Sequence, residues 1–151
     1  MITTVQYQIL EANWRDIQAL HRLEKICFGA DAWPIFDIVA VLTLPGLVRL
    51  KAVVDETLVG FIAGEVNRRE GVGWILTLGV SPEYRRQGIG RALLRACEQR
   101  LATSRIRLSV RRSNWPAIRL YQAEGYHQVD IWARYYSGGE DALILEKAVD
   151  S

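Results

Sequence analysis

Residues 80–94 read VSPEYRRQGIGRALL, and the rest of the chain is interpreted outward from this run. An apolar strand ends at Val80, a short loop follows, and a helix begins at about Gly88. The start of a helix offers unpaired backbone N–H groups and the positive end of the helix dipole. Gly88 and Gly90 let an anion approach that backbone closely, and three arginines of the run add positive charge: Arg85, Arg86 and Arg91. The run therefore predicts a binding site for a pyrophosphate.

Two other phosphate-binding loops are excluded by the sequence. A Walker loop requires the pattern Gly-x-x-x-x-Gly-Lys-Ser/Thr, which the chain does not contain. A dinucleotide fingerprint requires three glycines early in a βαβ unit and an acidic residue about twenty positions later. The run has two glycines, and Arg105-Ile106-Arg107 stands where the acidic residue is needed. The expected ligand is thus a pyrophosphate outside these two classes.

Apolar periodicity, helix caps and turn residues predict an α/β fold with a mixed sheet, in one domain over residues 1–151. A helix capped by Asn13 and a second helix stopped by Pro45-Gly46 precede the first pair of long strands. Residues 73–80 are nearly all apolar, so this strand is expected to be central. The predicted strands cover residues 7–10, 47–54, 58–66, 73–80, 106–111, 126–134 and 142–147, and the predicted helices begin near residues 13, 35, 88 and 114.

Charge and hydropathy restrict the partners and the location of the protein. The chain has 151 residues and a net charge of +2, yet ten arginines and a single acid, Glu98, lie between Arg85 and Arg119. A basic segment suits a polyanion, either nucleic acid or a nucleotide cofactor, although Arg95 and Arg100 are expected on a solvated helix face. No stretch approaches the ~20 apolar residues of a membrane span, and residues 1–10 lack a basic start and an apolar run, so a cytoplasmic location is expected.

The two cysteines, Cys27 and Cys97, are too few for a disulfide framework and have no metal-ligand spacing, so no metal is expected. Cys97 lies in an apolar helical stretch and is expected to be a buried structural thiol. Cys27 could serve as a nucleophile, but no residue near it in sequence would lower the pKa of its thiol.

A second motif, residues 108–126, reads LSVRRSNWPAIRLYQAEGY and has a strand, a capping Asn114, a helix ending in Leu-Tyr121 and then Gly125-Tyr126. Together with Arg85-x-x-Gly88-x-Gly90, this motif resembles the GNAT family of N-acetyltransferases. The resemblance implies a central mixed, mostly antiparallel sheet of about seven strands flanked by about four helices. It also implies direct transfer of the acetyl group of acetyl-CoA to a primary amine in a ternary complex.

The resemblance also implies roles for individual residues. The central strand of the family splays from its neighbour, and the pantetheine arm of the cofactor pairs with backbone groups in the gap, by position Leu78, Gly79 and Val80. The loop and the start of the next helix would hold the pyrophosphate: Arg85, Arg86, Gln87, Gly88, Ile89, Gly90 and Arg91. Asn114 would contact the cofactor near its thiol end. Tyr121 would act as general acid toward the departing thiolate; the alternative for Tyr121 is a core aromatic residue under the helix.

The C-terminal part, from Ala133 to Glu146, is similar to the ribosomal-protein N-alpha-acetyltransferase branch of the family. In that branch, paired tyrosines in the loop between the last two strands border the N-terminus of the acceptor peptide. The residues expected on the acceptor side are Trp33, Trp74, Ser109, Tyr135 and Tyr136. The alternative for Tyr135 and Tyr136 is that they close the end of the sheet.

One position departs from the pattern of the branch. Ser109 stands where relatives commonly carry a Glu or His that serves as general base, and a hydroxyl cannot act as a base at neutral pH. At pH 7 an α-amine with a pKa near 8 is about 10% neutral, whereas a lysine ε-amine with a pKa near 10.4 is about 0.04% neutral. Deprotonation therefore costs about 1.4 kcal/mol for the α-amine and about 4.6 kcal/mol for the lysine. An α-amine is therefore the easier acceptor. Four other residues could still supply a base: Glu65 or Glu70 through a water chain, and His21 or His127, which are more often structural.

Three functions remain open from the sequence. The first is acetylation of the N-terminal α-amine of a protein or peptide. The second is acetylation of a small-molecule amine such as a polyamine, which Asp31 and Asp37 would favour. The third is a non-catalytic module that binds acyl-CoA or docks on nucleic acid, although nucleic acid is the less expected partner. A monomer and a homodimer are both compatible with the sequence.

Overall fold

The structure, a computed structural model, describes residues 5–149. The strands are β1 (Gln8–Glu11), β2 (Val48–Val54), β3 (Thr57–Asn67), β4 (Val72–Val80), β5 (Arg105–Arg111), β6 (His127–Trp132) and β7 (Ala142–Ala148). The helices are α1 (Ile17–Phe28), α2 (Ile35–Thr43), α3 (Ile89–Leu101) and α4 (Trp115–Ala123). Within residues 5–149, no helix is long and apolar enough to cross a membrane. Residues 1–4, on which the prediction against a signal peptide partly depends, lie outside the described residues.

The strands form one seven-stranded sheet in the order β1-β2-β3-β4-β5-β7-β6. Neighbouring strands are antiparallel except for β4 and β5, which are parallel and pair only over Val72–Trp74 and Arg105–Arg107. Beyond Trp74, β4 therefore diverges from β5 and leaves an opening in the middle of the sheet. The predicted mixed, mostly antiparallel sheet with a splayed central strand and four flanking helices is confirmed.

Helices cover both faces of the sheet. On one face, α3 packs on β2, β3 and β4 around a core that includes Leu93, Leu94 and Cys97. Cys97 is fully buried, as predicted, and burial raises the pKa of its thiol to about 12. On the other face, α1 and α2 enclose a smaller core with Phe61 and Ala63 of β3. The two faces thus differ in their helices, and the opening between β4 and β5 connects them.

A bulge in β4 determines which side chains face α1. Ala63 of β3 pairs with Thr77, whereas the next residue, Gly64, pairs with Ile75. Leu76 is therefore an extra residue in the strand. Because side chains otherwise alternate between the faces, Trp74 and Thr77 both point toward the α1 side.

The predicted boundaries were accurate to a few residues, and local backbone conformation explains the differences. The helix predicted over residues 88–102 is α3, whose flanking Gly88 and Ala102 are both left-handed and so lie outside it. The strand predicted over residues 126–134 is the shorter β6, because Arg134 has a positive φ of 53° that ends the extended chain.

Candidate active site

A channel of about 810 Å³ begins where β4 separates from β5 and runs along the start of α3 to α4. Its wall contains nearly all the residues predicted to bind the cofactor: Leu78, Gly79, Val80, Arg85, Arg86, Gly88, Ile89, Gly90, Arg91, Asn114 and Tyr121. Gln87 is exposed and is not among the residues that line the channel. Two segments that are distant in sequence, residues 78–91 and 114–121, therefore form one site.

The start of α3 is built to receive an anion. Gly88 precedes the helix with a φ of 83°, a conformation that glycine adopts without strain, and no side chain caps the helix. The N–H groups of Ile89, Gly90 and Arg91 consequently have no partner within the helix and are available to a ligand. The unpaired edge of β4 supplies further free backbone groups beside them. A long ligand with a pyrophosphate and an amide-containing arm, as in acetyl-CoA, fits this combination.

Two of the arginines predicted to add charge around the channel also have partners within the protein. Arg91 pairs with the buried carboxylate of Glu124, with Nε 2.7 Å from Oε1. Arg85 donates from Nε to the Val80 carbonyl at 2.9 Å, so it also supports the end of β4. Arg86 and Arg119 have no ion pair with another described residue, and both line the channel. Arg119 was not predicted, because its position inside α4 gives no signal until that helix is packed beside the loop.

Asn114 and Tyr121 are placed by α4. The Asn114 side chain caps the helix by accepting from the Ala117 N–H at 3.3 Å, and this contact keeps it at the mouth of the channel. Tyr121 is 7% exposed and packs edge-on against Tyr126, with ring centroids 5.7 Å apart. Burial, and then the nearby Tyr136, raise the pKa of Tyr121 above its ordinary value. Its hydroxyl therefore stays protonated at neutral pH, as a general acid requires.

The residues predicted for the acceptor mostly lie together on the α1 side of the opening. The Tyr136 hydroxyl donates to Ser109 Oγ at 3.2 Å. A row of stacked and tilted rings continues from there, with centroid separations of 5.0 to 5.9 Å: Tyr136, Tyr135, Trp132 and Trp74. Trp33 instead packs against the core between α1 and α2. Trp132 was not predicted, because its contact with Trp74 arises only when β6 joins the edge of the folded sheet.

Arg111 joins the two loops that border this region, a role that no local sequence pattern indicates. Its guanidinium contacts Asp31, in the turn after α1, and Glu140, in the loop before β7, with Nη1 2.8 Å from Oε1 of Glu140. It also donates to the Ser137 carbonyl at 3.0 Å and lies over the Tyr136 ring, 4.8 Å from its centroid. Arg111 lowers the pKa of Asp31, so this acid is ionised and already paired.

Among the described residues, no carboxylate hydrogen-bonds to the Ser109 side chain. Its hydrogen-bond partner is Tyr136, and neither Glu65 nor Glu70 bonds to it; Glu70 is exposed and lies 3.8 Å from Arg107. A buried carboxylate of α1, Glu24, lies behind β4, where its Oε1 accepts from the Thr77 hydroxyl at 2.9 Å. The available signal was a glutamate at a core position of an amphipathic helix.

Cys27 lies at the α1 side of the channel, where its thiol donates to the Val80 carbonyl at 3.5 Å. Desolvation raises the pKa of this thiol despite the nearby Arg85. Cys27 is therefore a neutral thiol rather than an activated nucleophile.

The profile of the acetyltransferase (GNAT) family matches residues 14–126 of this sequence. The match spans most of the chain and includes both motifs, so the protein belongs to the acetyltransferase (GNAT) family. Within this family it is an acetyl-CoA-dependent N-acetyltransferase, which sets aside the non-catalytic module.

Named relatives extend over nearly the whole chain. The N-alpha-acetyltransferase of Saccharolobus solfataricus is 28% identical over 155 residues, which cover 93% of this chain and 92% of the relative. The crystal structure of the ribosomal-protein-S18-alanine N-acetyltransferase from Escherichia coli superposes with a TM-score of 0.86 at 24% identity, covering 97% of this chain and 96% of that one. Arabidopsis thaliana NAA60 in complex with acetyl-CoA gives a TM-score of 0.85 at 21% identity, with 97% and 100% covered. At these identities, the two structures establish the shared fold.

Proposed function

We propose that the protein transfers the acetyl group of acetyl-CoA to the N-terminal α-amine of a protein or peptide. The observation that carries this proposal is the acceptor side of the opening, where aromatic rings and hydroxyls surround Ser109 while Asp31 and Glu140 are already paired with Arg111. Such a surface suits the uncharged backbone of a peptide better than a polycation. The names of the S. solfataricus and E. coli relatives support the same class of acceptor.

The residues of the chain have distinct tasks in this reaction. The free N–H groups at the start of α3 and the unpaired edge of β4 would hold acetyl-CoA, which supplies an activated thioester when bound. Since the thioester is already activated, positioning of the two reactants provides much of the rate enhancement. Tyr121 would donate its hydroxyl proton to the departing sulfur. No covalent acyl-enzyme is needed, in keeping with the neutral thiol of Cys27.

The ionisation of the acceptor favours an α-amine over a lysine side chain. Near pH 7 the neutral fraction of an α-amine exceeds that of a lysine by a factor of roughly 250, from pKa values near 8 and 10.4. The position that commonly holds a base in relatives is Ser109, whose hydroxyl cannot take up this proton on its own. The more weakly basic amine is thus the better match to this site.

An acceptor screen tests the proposal. Two peptides of equal length would be compared, one with a free N-terminus and no lysine, the other with a blocked N-terminus and one internal lysine. Spermidine and peptides beginning with alanine, serine or methionine complete the panel. We expect acetylation of free N-termini, located by fragmentation mass spectrometry, at least about tenfold faster than of lysine. Turnover of spermidine with no N-terminus modified would support the small-molecule alternative instead.

A further inference from the structure

Glu24 differs from the other buried carboxylates of the described chain in having no cation beside it. Glu98 contacts Lys147 Nζ at 3.1 Å and the Tyr126 hydroxyl at 2.6 Å, and Glu124 pairs with Arg91 and Arg95. Glu24 is 3% exposed, and its Oε1 accepts only from Thr77. The Trp33 amide is near, but Oε2 forms no hydrogen bond of regular geometry. Burial of a carboxylate costs free energy of folding unless its lone pairs accept hydrogen bonds, so the free Oε2 atom calls for a functional explanation.

Thr77 connects this carboxylate to the opening of the sheet. It lies in the part of β4 that has left β5, three residues beyond the last paired residue, Trp74. On β5, Ser109 lies two residues beyond the last paired residue, Arg107. Leu76 is the extra residue of the bulge, so Thr77 and Ser109 have equivalent positions on the two strands. Leu108 and Val110 face the α3 core, so Ser109 faces the α1 side, as Thr77 does.

We infer that Glu24, acting through the Thr77 hydroxyl, accepts the proton that the acceptor ammonium must lose before it attacks. The inference rests on the proposed function, because it concerns the amine used there. Thr77 Oγ1 takes a proton from the ammonium nitrogen and passes its own hydrogen to Oε1 of Glu24, which leaves a neutral amine and a neutral carboxylic acid. The second proton that the nitrogen loses on forming the amide restores Tyr121 after that residue has protonated the sulfur. Glu24 returns its proton to solvent, so one proton is released per turnover.

The surroundings of Glu24 suit this task. Desolvation raises its pKa, opposed by the Thr77 hydroxyl and then by the Trp33 amide, so the carboxylate is a stronger base than an exposed glutamate. The titratable group that faces it is Cys27, one turn later on α1, which is neutral. No charged side chain of β3 or β4 pairs with it among the described residues. The role of Glu24 is therefore to draw the proton through Thr77, without touching the acceptor.

Acceptors of different basicity test the relay. One peptide would be offered with its normal α-amine and, in a second form, with an aminooxy group at the same position, which is uncharged at neutral pH. The variants are Glu24→Gln and Thr77→Val, with Thr77→Ser as the matched control that keeps the hydroxyl. For the α-amine at pH 7 we expect kcat/KM to fall by about tenfold in Glu24→Gln and Thr77→Val, because only about 10% of the amine is then neutral in solvent, and to be kept in Thr77→Ser. For the aminooxy form, all variants should stay within about twofold of the wild type.

The pH profile sharpens this test. The loss in Glu24→Gln should shrink to about twofold when the pH reaches the pKa of the α-amine, because half of the amine is then neutral in solvent. If the contact between Glu24 and Thr77 only held α1 against β4, its loss would instead lower kcat/KM equally for both acceptors at every pH. Equal losses with the amine and the aminooxy peptide would overturn the inference.

A readout independent of turnover is the titration of the Glu24 carboxyl itself, followed by NMR in protein labelled with ¹³C at glutamate. We expect one resonance, absent in Glu24→Gln, to titrate above the ordinary range but to be ionised at pH 8. A carboxyl still protonated at pH 8 could not accept a proton and would also overturn the inference. If Glu24→Gln does not fold, the Thr77 pair keeps the test intact. A wild-type protein that acetylates no N-terminal peptide would count against the proposed function, whereas the titration result holds for any amine.

Discussion

The cofactor side and the acceptor side of the opening are built from the chain in different ways. The channel proposed to hold acetyl-CoA is lined mainly by two nearly continuous segments, residues 78–91 and 114–123, with Cys27 and Phe28 of α1 beside them. The expected acceptor side combines α1, the turn at Asp31, residues of β4, β5 and β6, and the loop before β7. Its parts are joined by contacts such as that of Arg111 with Asp31, 80 positions apart in sequence. The geometry of a site made of continuous segments is determined mainly by local backbone conformation. The geometry of a site made of scattered residues depends on the packing of the whole domain. The two sides should therefore respond separately to substitution.

The largest effect is expected from Tyr121→Phe, which should lower turnover without weakening the binding of acetyl-CoA. The change removes only the hydroxyl, which has no hydrogen-bond partner among the described residues, so the packing against Tyr126 should persist. We expect kcat to fall by about 10²- to 10³-fold through loss of the general acid. The Kd for acetyl-CoA should stay within twofold in calorimetry. Because burial raises the pKa of Tyr121, the wild-type kcat should show no decline from its ionisation up to pH 10.

Tyr126→Phe is the control for this prediction. It removes a hydroxyl from the same aromatic pair but takes away a structural bond to Glu98 of 2.6 Å. Thermal stability should fall while kcat at moderate temperature changes little. A Tyr121→Phe protein with unchanged kcat would show that Tyr121 is a core aromatic residue, which was the alternative in the sequence reading.

Nearly all the residues that the sequence predicts for the cofactor line one channel, whereas the region predicted for the acceptor also contains residues without any signal in the sequence. Gly88 and Gly90 before a helix, and Asn114 at a helix cap, identify their roles through neighbours within a few positions. Glu24 and Arg111 carry no such label, because their partners Thr77 and Asp31 are 53 and 80 positions away. The pairing of Arg91 with Glu124 could not be predicted for the same reason, since Glu124 reaches Arg91 only when the end of α4 lies beside α3. The strands were predicted well because their apolar pattern and turns are local.

A substitution at Gly88 tests whether the cofactor side can be damaged alone. Gly88→Val places a branched side chain at a φ of 83°, beside the free N–H groups of α3. We expect the Kd for acetyl-CoA to rise by about tenfold or more, equivalent to at least about 1.4 kcal/mol, with the peptide KM little changed at saturating cofactor. Equilibrium dialysis or calorimetry would measure the first quantity, and steady-state kinetics the second.

Gly71→Val is the matched control for Gly88→Val. Gly71 also has a positive φ, of 68°, and neither glycine has another group within 4 Å of an added Cβ. Both variants should therefore lose similar stability from backbone strain, but Gly71 lies in the turn between β3 and β4, outside the channel. If Gly71→Val weakened acetyl-CoA binding as much as Gly88→Val, the local anion site would not be the cause.

Arg111→Ala should damage the acceptor side without affecting the cofactor. Its loss frees Asp31 and the loop at Ser137 from each other, and both loops border the expected peptide position. We expect the peptide KM to rise by about tenfold, because charge-assisted hydrogen bonds that hold a loop are lost. The Kd for acetyl-CoA should not change. Arg112→Ala is the control. The guanidinium of Arg112 is more exposed than that of Arg111, and its ion pair with Asp141 is longer, at 3.6 Å, so this variant should leave both constants near the wild-type values. Equal effects of the two variants would contradict the linking role of Arg111.

The smallest effect is expected from Tyr136→Phe, and it decides how finely the acceptor side is arranged. The variant keeps the ring beneath Arg111 and loses only the bond of 3.2 Å to Ser109. A neutral hydrogen bond contributes about 0.5–1.5 kcal/mol, so the peptide KM should rise by roughly two- to tenfold. Ser109→Ala removes the other half of the same bond, and the double variant should be no worse than either single one. Additive losses would instead mean that the two hydroxyls contact the acceptor independently. The acceptor side would then consist of separable binding groups, like the cofactor side, rather than of one connected arrangement.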